Sequence, residues 1–274
     1  MPSIRQIKAR VEAKINDTIL DLGQVVGLLK DPVIEGPLGK YVVPINSNRD
    51  LVAQHIKQGK LFDEHVVDTV KRLYKGGDIL DIGANFGQMS VQFSRIQQHM
   101  NSSRASHYHL YSFEANPVVF KYLNKNISMN CRDSCTIVFG AVWNEVGKTA
   151  YFPYFARSDE VTYGTYKINF DGTGFPVTTI SVDALKLKNK VGLIKTDIQG
   201  ADLRALEGAI ELIKRDSPII ITEYESRFSY LFNDTFEDYI NFFNSLNYEV
   251  IMDEKPQPGN MEWSIDLVCI PKNS

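Results

Sequence analysis

The segment Asp81-Ile-Gly-Ala-Asn-Phe-Gly87 sets an aspartate and two glycines between a short apolar run and a helical pattern, QMSVQFSRIQQ. In open parallel sheets, a turn at the carboxyl end of a strand is where ligands sit. A pyrophosphate fingerprint needs another glycine where Asn85 stands, and an acid inside the turn repels phosphate. The pattern suits a ligand with positive charge and no phosphate, such as S-adenosylmethionine with its sulfonium and ammonium; a plain strand-to-helix connection is the alternative. Glu114 ends the next strand-like run, HLYSFEA, 27 residues beyond Gly87. A carboxylate there can accept two hydrogen bonds from a ribose diol, and such an acid is expected about 20 residues on. The polar stretch from Gln97 to His107 accounts for the extra length.

Two more acids close apolar runs: Asp197 in VGLIKTDI and Glu223 in PIIITEY. A carboxylate at Asp197 can bind an amino group, take a proton from an acceptor, or ligate a divalent ion. Paired with Glu223 it leaves a Mg²⁺ site open, though the residues do not favour one. Lys195, in the same run, is assigned to the opposite face of its strand. For a hydroxyl acceptor the general-base candidates are Asp197, Glu223 and then His65. Asp197 is expected to matter to turnover more than to the fold. His99, His107 and His109 show no metal-ligand spacing and are given no role.

These residues need elements to position them. Near-continuous apolar runs alternate with amphipathic helices from residue 76 onward, the pattern of a mostly parallel sheet covered on both faces. The expected strands are 79–83, 109–115, 136–143, 191–198, 218–224, 248–253 and 263–270, with helices at 88–98, 117–130, 201–215 and 235–246. The final two strands lack a helix between them, which predicts one antiparallel strand at the sheet edge. Residues 1–75 form an extension, with helices at 3–16, 48–58 and 62–75 around a hairpin in VIEGPLGKYVVP; residues 76–274 form the main domain. Residues 144–180 break the rhythm, are rich in Tyr, Phe, Gly and Thr, and read as hairpins or a lid, with Tyr154, Tyr163 and Tyr166 suited to an acceptor.

Composition narrows the classes. The 274 residues carry 30 Lys and Arg against 33 Asp and Glu, a formal charge of −3. No basic excess points to nucleic acid. No apolar run has the length of a membrane span, and the first residues lack a signal-peptide core. Three cysteines are too few and odd in number for a disulfide framework, which fits a reducing, cytoplasmic setting. Self-association is left open.

DIGANFG, FEANPVVFKYLNKNISMN, GAVWNEVGK, TTISVDAL and IKTDIQGADLRALEGA closely resemble, in order over residues 60–224, the FkbM-type S-adenosylmethionine-dependent methyltransferases. IKTDIQGAD with LEGA behind it is the most specific part. The resemblance implies a Rossmann-like class I methyltransferase α/β fold with a seven-stranded sheet, and usually O-methylation of a sugar or polyketide-type hydroxyl. It implies that Gly83, Ala84, Asn85 and Gly87 lie along the cofactor's methionine part, with Asp81 attracting its ammonium. Glu114 holds the ribose, flanked by Ala115 and Asn116, and Ala141 and Val142 face the adenine. Glu64 matches a family glutamate that reaches the methionine end or is simply exposed on its helix. Asp197 serves the cofactor and, with Glu223, the chemistry. The chain departs from the family at Ala115, commonly proline, and at Asp202, commonly glutamate, where the shorter side chain changes the reach of the carboxylate. A small-molecule or glycan acceptor is expected. RNA or protein methylation, or a non-catalytic binding protein on the same fold, are the alternatives.

Overall fold

A computed structural model describes residues 31–45, 47–101, 107–131, 134–154, 163–252 and 263–272. The expected helix at 3–16 and the turn between the last two strands lie outside the described residues. The hairpin is present as β1 (Val33–Gly36) and β2 (Gly39–Val42). Two helices follow, α1 (Leu51–Lys57) and α2 (Glu64–Leu73). Asp50 starts α1 by accepting a hydrogen bond from the Ala53 amide, which satisfies one of the free donors of the first turn.

The main sheet has seven strands in the order β11-β12-β10-β9-β3-β4-β5. These are β3 (Asp78–Ile82), β4 (Leu110–Glu114), β5 (Cys135–Phe139), β9 (Val191–Thr196), β10 (Ile219–Glu225), β11 (Tyr248–Ile251) and β12 (Ser264–Pro271). The ladders joining β10, β9, β3, β4 and β5 are parallel. β3 is buried along its whole length, Asp78 and Asp81 included, as expected of a central strand covered on both faces. Chain order reverses between β4 and β9 around β3, so the crevice at the carboxyl ends of β3, β4 and β9 is the natural ligand position.

Helices α3 (Gln88–Asn101) and α4 (Pro117–Asn130) connect the first strands, matching the apolar periodicity. The expected helix at 201–215 is two helices, α5 (Asp202–Glu207) and α6 (Ile210–Asp216). The break falls at Gly208, where a Cβ would lie 2.2 Å from the Trp143 carbonyl oxygen, so the chain there packs backbone on backbone. Short helix α7 (Ser226–Ser229) precedes α8 (Phe236–Ser245), which begins with a reciprocal capping box between Thr235 and Asp238.

Two strand expectations are refined. The antiparallel strand β12 sits one place in from the edge, between β10 and β11, so the edge strand runs with the rest. The run 136–143 is divided at Gly140. Its first part is β5, and its second, β6 (Ala141–Val142), joins β8 (Phe175–Ile180) and β7 (Thr149–Phe152) in a separate three-stranded sheet. The described part of 144–180 is therefore largely a β7–β8 hairpin, and the connection between its two strands carries a 3₁₀ turn at Tyr163–Thr165 that lines the crevice. Among the described residues no helix is long and apolar enough to cross a membrane.

Among the amides that tie the hairpin to the main sheet's helices, Asn126 is the one that also reaches the glycine turn. Asn126 of α4 accepts from the Val42 amide at 2.6 Å and donates to the Val42 and Phe86 carbonyls at 3.0 and 2.8 Å. Phe86 lies inside the glycine turn, so this side chain ties β2 and the turn to one helix. Asn126→Ala would leave these buried groups without a partner, each costing about 1–3 kcal/mol. The expected outcome is a loss of about 3 kcal/mol or more in chemical denaturation; a loss below 1 kcal/mol would show that the amide does not anchor the turn.

Candidate functional site

The glycine turn leaves β3 under tight backbone constraints. Gly83 and Ala84 both donate their amides to the Phe113 carbonyl, at 3.0 and 2.9 Å. Gly83 has φ +86, and a Cβ on it would come within 2.0 Å of the Asp197 carbonyl oxygen. The missing side chain is thus needed for contact with the end of β9. Gly87, at φ +82, instead faces Leu123 of α4. Asn85 occupies the left-handed region at φ 51, which asparagine tolerates better than most residues and which explains a non-glycine there.

Glu114 ends β4 one strand away. Its carboxylate accepts from the Asn85 amide at 3.0 Å and the Asn116 amide at 2.7 Å. Burial outweighs these bonds and pushes its pKa up to about 7. Asn116 caps α4 by accepting from the Val118 and Val119 amides, so it serves the helix and orients Glu114.

At the end of β9, Asp197 is held from two sides. Lys195 Nζ lies 3.3 Å from Oδ2, and the Gln199 side-chain amide donates to Oδ1 at 3.3 Å. The assignment of Lys195 to the opposite face is therefore corrected: strand positions two apart share a face. Burial alone would raise the Asp197 pKa, but Lys195, a hydrogen bond from Glu223 and Gln199 together bring it below the ordinary carboxylate value. Glu223 shows the reverse. Burial first, and the Asp197 charge second, push its pKa well up, so the pair holds one proton on Glu223 and a charge on Asp197. Lys195 is itself buried; burial works against its charge, yet Asp197 and Asp81 outweigh it and raise its pKa.

Asp81 and Lys195 are direct neighbours across the β3–β9 ladder. Asp81 is fully buried, accepts a hydrogen bond from the Ser90 hydroxyl, and leaves its Oδ1 without a hydrogen-bond partner. Asp202 accepts from the Ile198 and Gly200 amides, both at 3.2 Å, so its shorter side chain closes the turn after β9. Its pKa is pushed up to about 7 by burial and then by Asp197.

These elements surround one cavity of about 280 Å³. Of the residues singled out by sequence, Gly83, Ala84, Asn85, Glu114, Ala115, Ala141, Val142, Asp197 and Glu223 line it. Asp81, Gly87 and Asn116 lie behind its wall, and Glu64 is exposed at the start of α2. Tyr163 and Tyr166 face the cavity, whereas Tyr154 is exposed and stacks edge-on against Phe175. His65 is outside the lining but reaches it indirectly: its Nε2 is 2.6 Å from Asp266 Oδ2, which lines the cavity opposite Glu223 in the β10–β12 ladder.

Sequence reasoning missed Asp50, Asp63 and Asp266. Asp50 caps α1 and also accepts from the Tyr163 amide at 2.7 Å, so one carboxylate joins the first helix to the turn over the cavity. Asp63, at φ 52 before α2, faces Asp197 and Asp266; burial and then those charges raise its pKa. Only the helix-capping pattern at Asp50 gave a signal in the sequence. Among the described residues no three His, Cys, Asp or Glu side chains are grouped to hold a metal ion.

A seven-stranded, mostly parallel sheet with a glycine turn after its central strand and acids at the next strand ends defines the class I methyltransferase architecture. The methyltransferase FkbM domain model matches residues 81–250, more than half of the chain, and the protein belongs to that family. No curated protein matches the sequence significantly. Among solved structures, the chain is similar to the FkbM methyltransferase of Methylobacillus flagellatus at 14% identity and TM-score 0.46, over 79% of this chain and 52% of that one. It thus spans about half of that protein's length. It is also similar to the precorrin-6y C5,15-methyltransferase of Geobacter metallireducens, at 15% identity and TM-score 0.44, over 78% and 89% of the two chains. The Pyrococcus abyssi tRNA (uracil-54, C5)-methyltransferase, solved with S-adenosyl-L-homocysteine, matches at 14% identity and TM-score 0.44, over 88% and 44%.

The buried ion pair supplies a stability test. Asp197 is expected to matter to turnover more than to the fold, and its half-buried side chain meets the buried Lys195 at the cavity wall. Lys195→Met should cost about 3–5 kcal/mol, because it leaves the fully buried Asp81 uncompensated. The double change Lys195→Met/Asp81→Asn should recover much of that loss in urea denaturation. Full stability of Lys195→Met would show that the ammonium does not hold the two acids together.

Proposed function

We propose that this protein transfers a methyl group from S-adenosylmethionine to a hydroxyl of a sugar, glycan or secondary-metabolite acceptor. The observation that carries this proposal is the shared cavity, with Glu114 on one side of β3 and the Asp197–Glu223 pair on the other. The fit to the cofactor rests on the donor set. Glu114 is fixed by two amides with its carboxylate turned to the cavity, ready for a ribose diol. Ala115, Ala141 and Val142 offer small apolar walls for an adenine. Gly83, Ala84 and Asn85 supply backbone to the methionine part, and Asp81 lies buried behind them, its pKa raised by burial against the opposing pull of Lys195 and Ser90.

Bound S-adenosylmethionine supplies an electrophilic methyl group on its sulfonium. The chain's own residues then align an acceptor and take its proton. Asp197 is ionised and faces the cavity, so it accepts the hydroxyl hydrogen bond and receives the proton as the oxygen becomes a better nucleophile. Glu223 stays protonated beside it and, with Lys195 and Gln199, fixes the orientation of that carboxylate. Because Lys195 and Gln199 already occupy both Asp197 oxygens and Glu223 keeps its proton, this donor set suits proton transfer better than a divalent ion. Phe152, Tyr163 and Tyr166 form the aromatic side on which an acceptor would rest.

Cofactor affinity should depend on pH through Glu114. With a pKa of about 7 it is protonated at lower pH and must ionise to accept both ribose hydroxyls. Affinity should therefore rise about tenfold per pH unit up to about 7 and level off above it. Calorimetry in buffers of different ionisation enthalpy should show proton release on binding below that pH. Glu114→Ala should cost about 2 kcal/mol of binding and flatten the profile; unchanged affinity in the folded variant would sink the ribose assignment.

Turnover should depend on Asp197 in a different way. With labelled S-adenosylmethionine and a panel of hydroxylated acceptors, Asp197→Asn should lower methyl transfer by roughly 10²-fold while cofactor binding changes far less. EDTA should leave the wild-type rate unchanged. Inhibition by EDTA, restored by Mg²⁺, would replace proton transfer with metal activation.

A further inference from the structure

Two lysines line the cavity, and their charges are held very differently. Lys195 is engaged by acids: its ammonium lies 3.3 Å from Asp197 Oδ2 and stands in register with Asp81. Lys167 belongs to the β7–β8 connection, beyond the Tyr163–Thr165 turn. Among the described residues its Nζ has no carboxylate at salt-bridge distance and no hydrogen bond. It lies instead over the face of Phe228, 4.1 Å from the ring centroid. A ring face attracts an ammonium but accepts none of its three N–H groups as a carboxylate oxygen would.

Phe228 carries a second cation. Arg227 Cζ is 4.4 Å from the same ring centroid, and its Nε donates to Glu225 at 2.7 Å, so that acid is already paired. Burial first, and then the Arg227 charge, lower the Lys167 pKa, with Glu225 opposing them. The fold fixes where this ammonium stands. Phe228 follows β10 in α7 and packs on Gly200, where a Cβ would come within 2.4 Å of the Phe228 carbonyl carbon. Gly200 lies in the turn that follows Asp197, so Phe228 holds Lys167 on the β9–β10 side of the crevice, with Asp197 and Glu223. Glu114 is on the other side of β3. The acids on the Lys167 side are engaged: Asp197 by Lys195, Asp266 by His65, and Glu223 by its own proton and the Ser264 hydroxyl.

We infer that the methyl acceptor carries an anionic group, a carboxylate or a phosphate, beside its reacting hydroxyl, and that Lys167 is the side chain that binds it. The inference rests on the methyl-transfer reading above. The hydroxyl meets Asp197 while the anion meets Lys167, so two wall charges of opposite sign orient one molecule along the aromatic side of the cavity. An arriving anion also relieves the repulsion between Lys167 and Arg227 over one ring. A neutral sugar lacks that contact, and an amino sugar brings a third positive charge to the place where two already meet, which disfavours it.

The test titrates the full chain, with and without saturating S-adenosyl-L-homocysteine, with glucose 6-phosphate, glucuronate, methyl glucoside and glucosamine, read by ligand-detected NMR. At least one of the two anions should bind about tenfold tighter than methyl glucoside, with glucosamine the weakest, and the stronger anion names the group. Lys167→Met keeps the stem on Phe228 and removes the charge. It should bring the anions down to the level of methyl glucoside while S-adenosyl-L-homocysteine affinity stays as in the wild type. Lys167→Arg should keep the preference. No saturable binding of either anion, equal or tighter binding of methyl glucoside or glucosamine, or a preference that survives Lys167→Met would overturn the inference. So would a loss of S-adenosyl-L-homocysteine affinity in Lys167→Met, since the lysine would then serve the cofactor's own carboxylate. Failure of the wild type to bind S-adenosyl-L-homocysteine would instead count against the proposed function, and the samples without it would still report whether Lys167 holds an anion.

Discussion

Lys195 is the charge on which the centre of this molecule depends. β3 and β9 are adjacent, and each carries an aspartate into the crevice at its carboxyl end, Asp81 and Asp197. A fully buried carboxylate and a half-buried one on neighbouring strands repel each other where solvent screens poorly. The ammonium of Lys195, paired in register with Asp81 and reaching forward to Asp197, makes the arrangement tolerable. It also decides the chemistry beyond it. With Asp197 held in its charged form, Glu223 becomes the member of the pair that keeps a proton.

The opposite side of β3 uses backbone where this side uses a buried cation. Glu114 is positioned by the Asn85 and Asn116 amides, one from the glycine turn and one from the first turn of α4. Its carboxylate is therefore oriented by two elements that cannot move independently, because Asn126 binds the turn and the hairpin to the same helix. Gly83 is required by the close approach of β9, so the position of Asp197 and the shape of the turn are set by a single backbone contact.

The roof of the cavity comes from parts of the chain far apart in sequence. Asp50 holds the Tyr163 turn, Tyr163 packs edge-on against Phe86, and Asp63 and Asp266 arrive from α2 and β12. Carboxylates predominate on that rim; Lys195 and Lys167 are the lysines among its lining residues. The residues that match the family, 81–250, hold the glycine turn and most of the sheet, while Asp50, Asp63 and Asp266 reach the rim from segments on either side of them.

The sequence alone was enough for the elements that repeat a local rule. Apolar runs followed by helical periods gave β3, β4, β9 and β10 in place, and the turn chemistry of DIGANFG and the strand-end acids located the crevice, because side-chain period and turn geometry are local properties. Where a local rule was misapplied, as with the face of Lys195, the pleat corrected it. Other features were decided by tertiary contacts. Gly140 ends one strand and lets the next residues join a second sheet, and Gly208 breaks a helix because the Trp143 backbone packs there. β12 enters between β10 and β11 since strand order is set by pairing partners rather than by the run itself. Asp50, Asp63 and Asp266 carry no shared spacing, and the proton on Glu223 depends on charges from other strands. Their roles arise only when the folded chain brings carboxylates together around one cavity, where each one changes the energy of its neighbours.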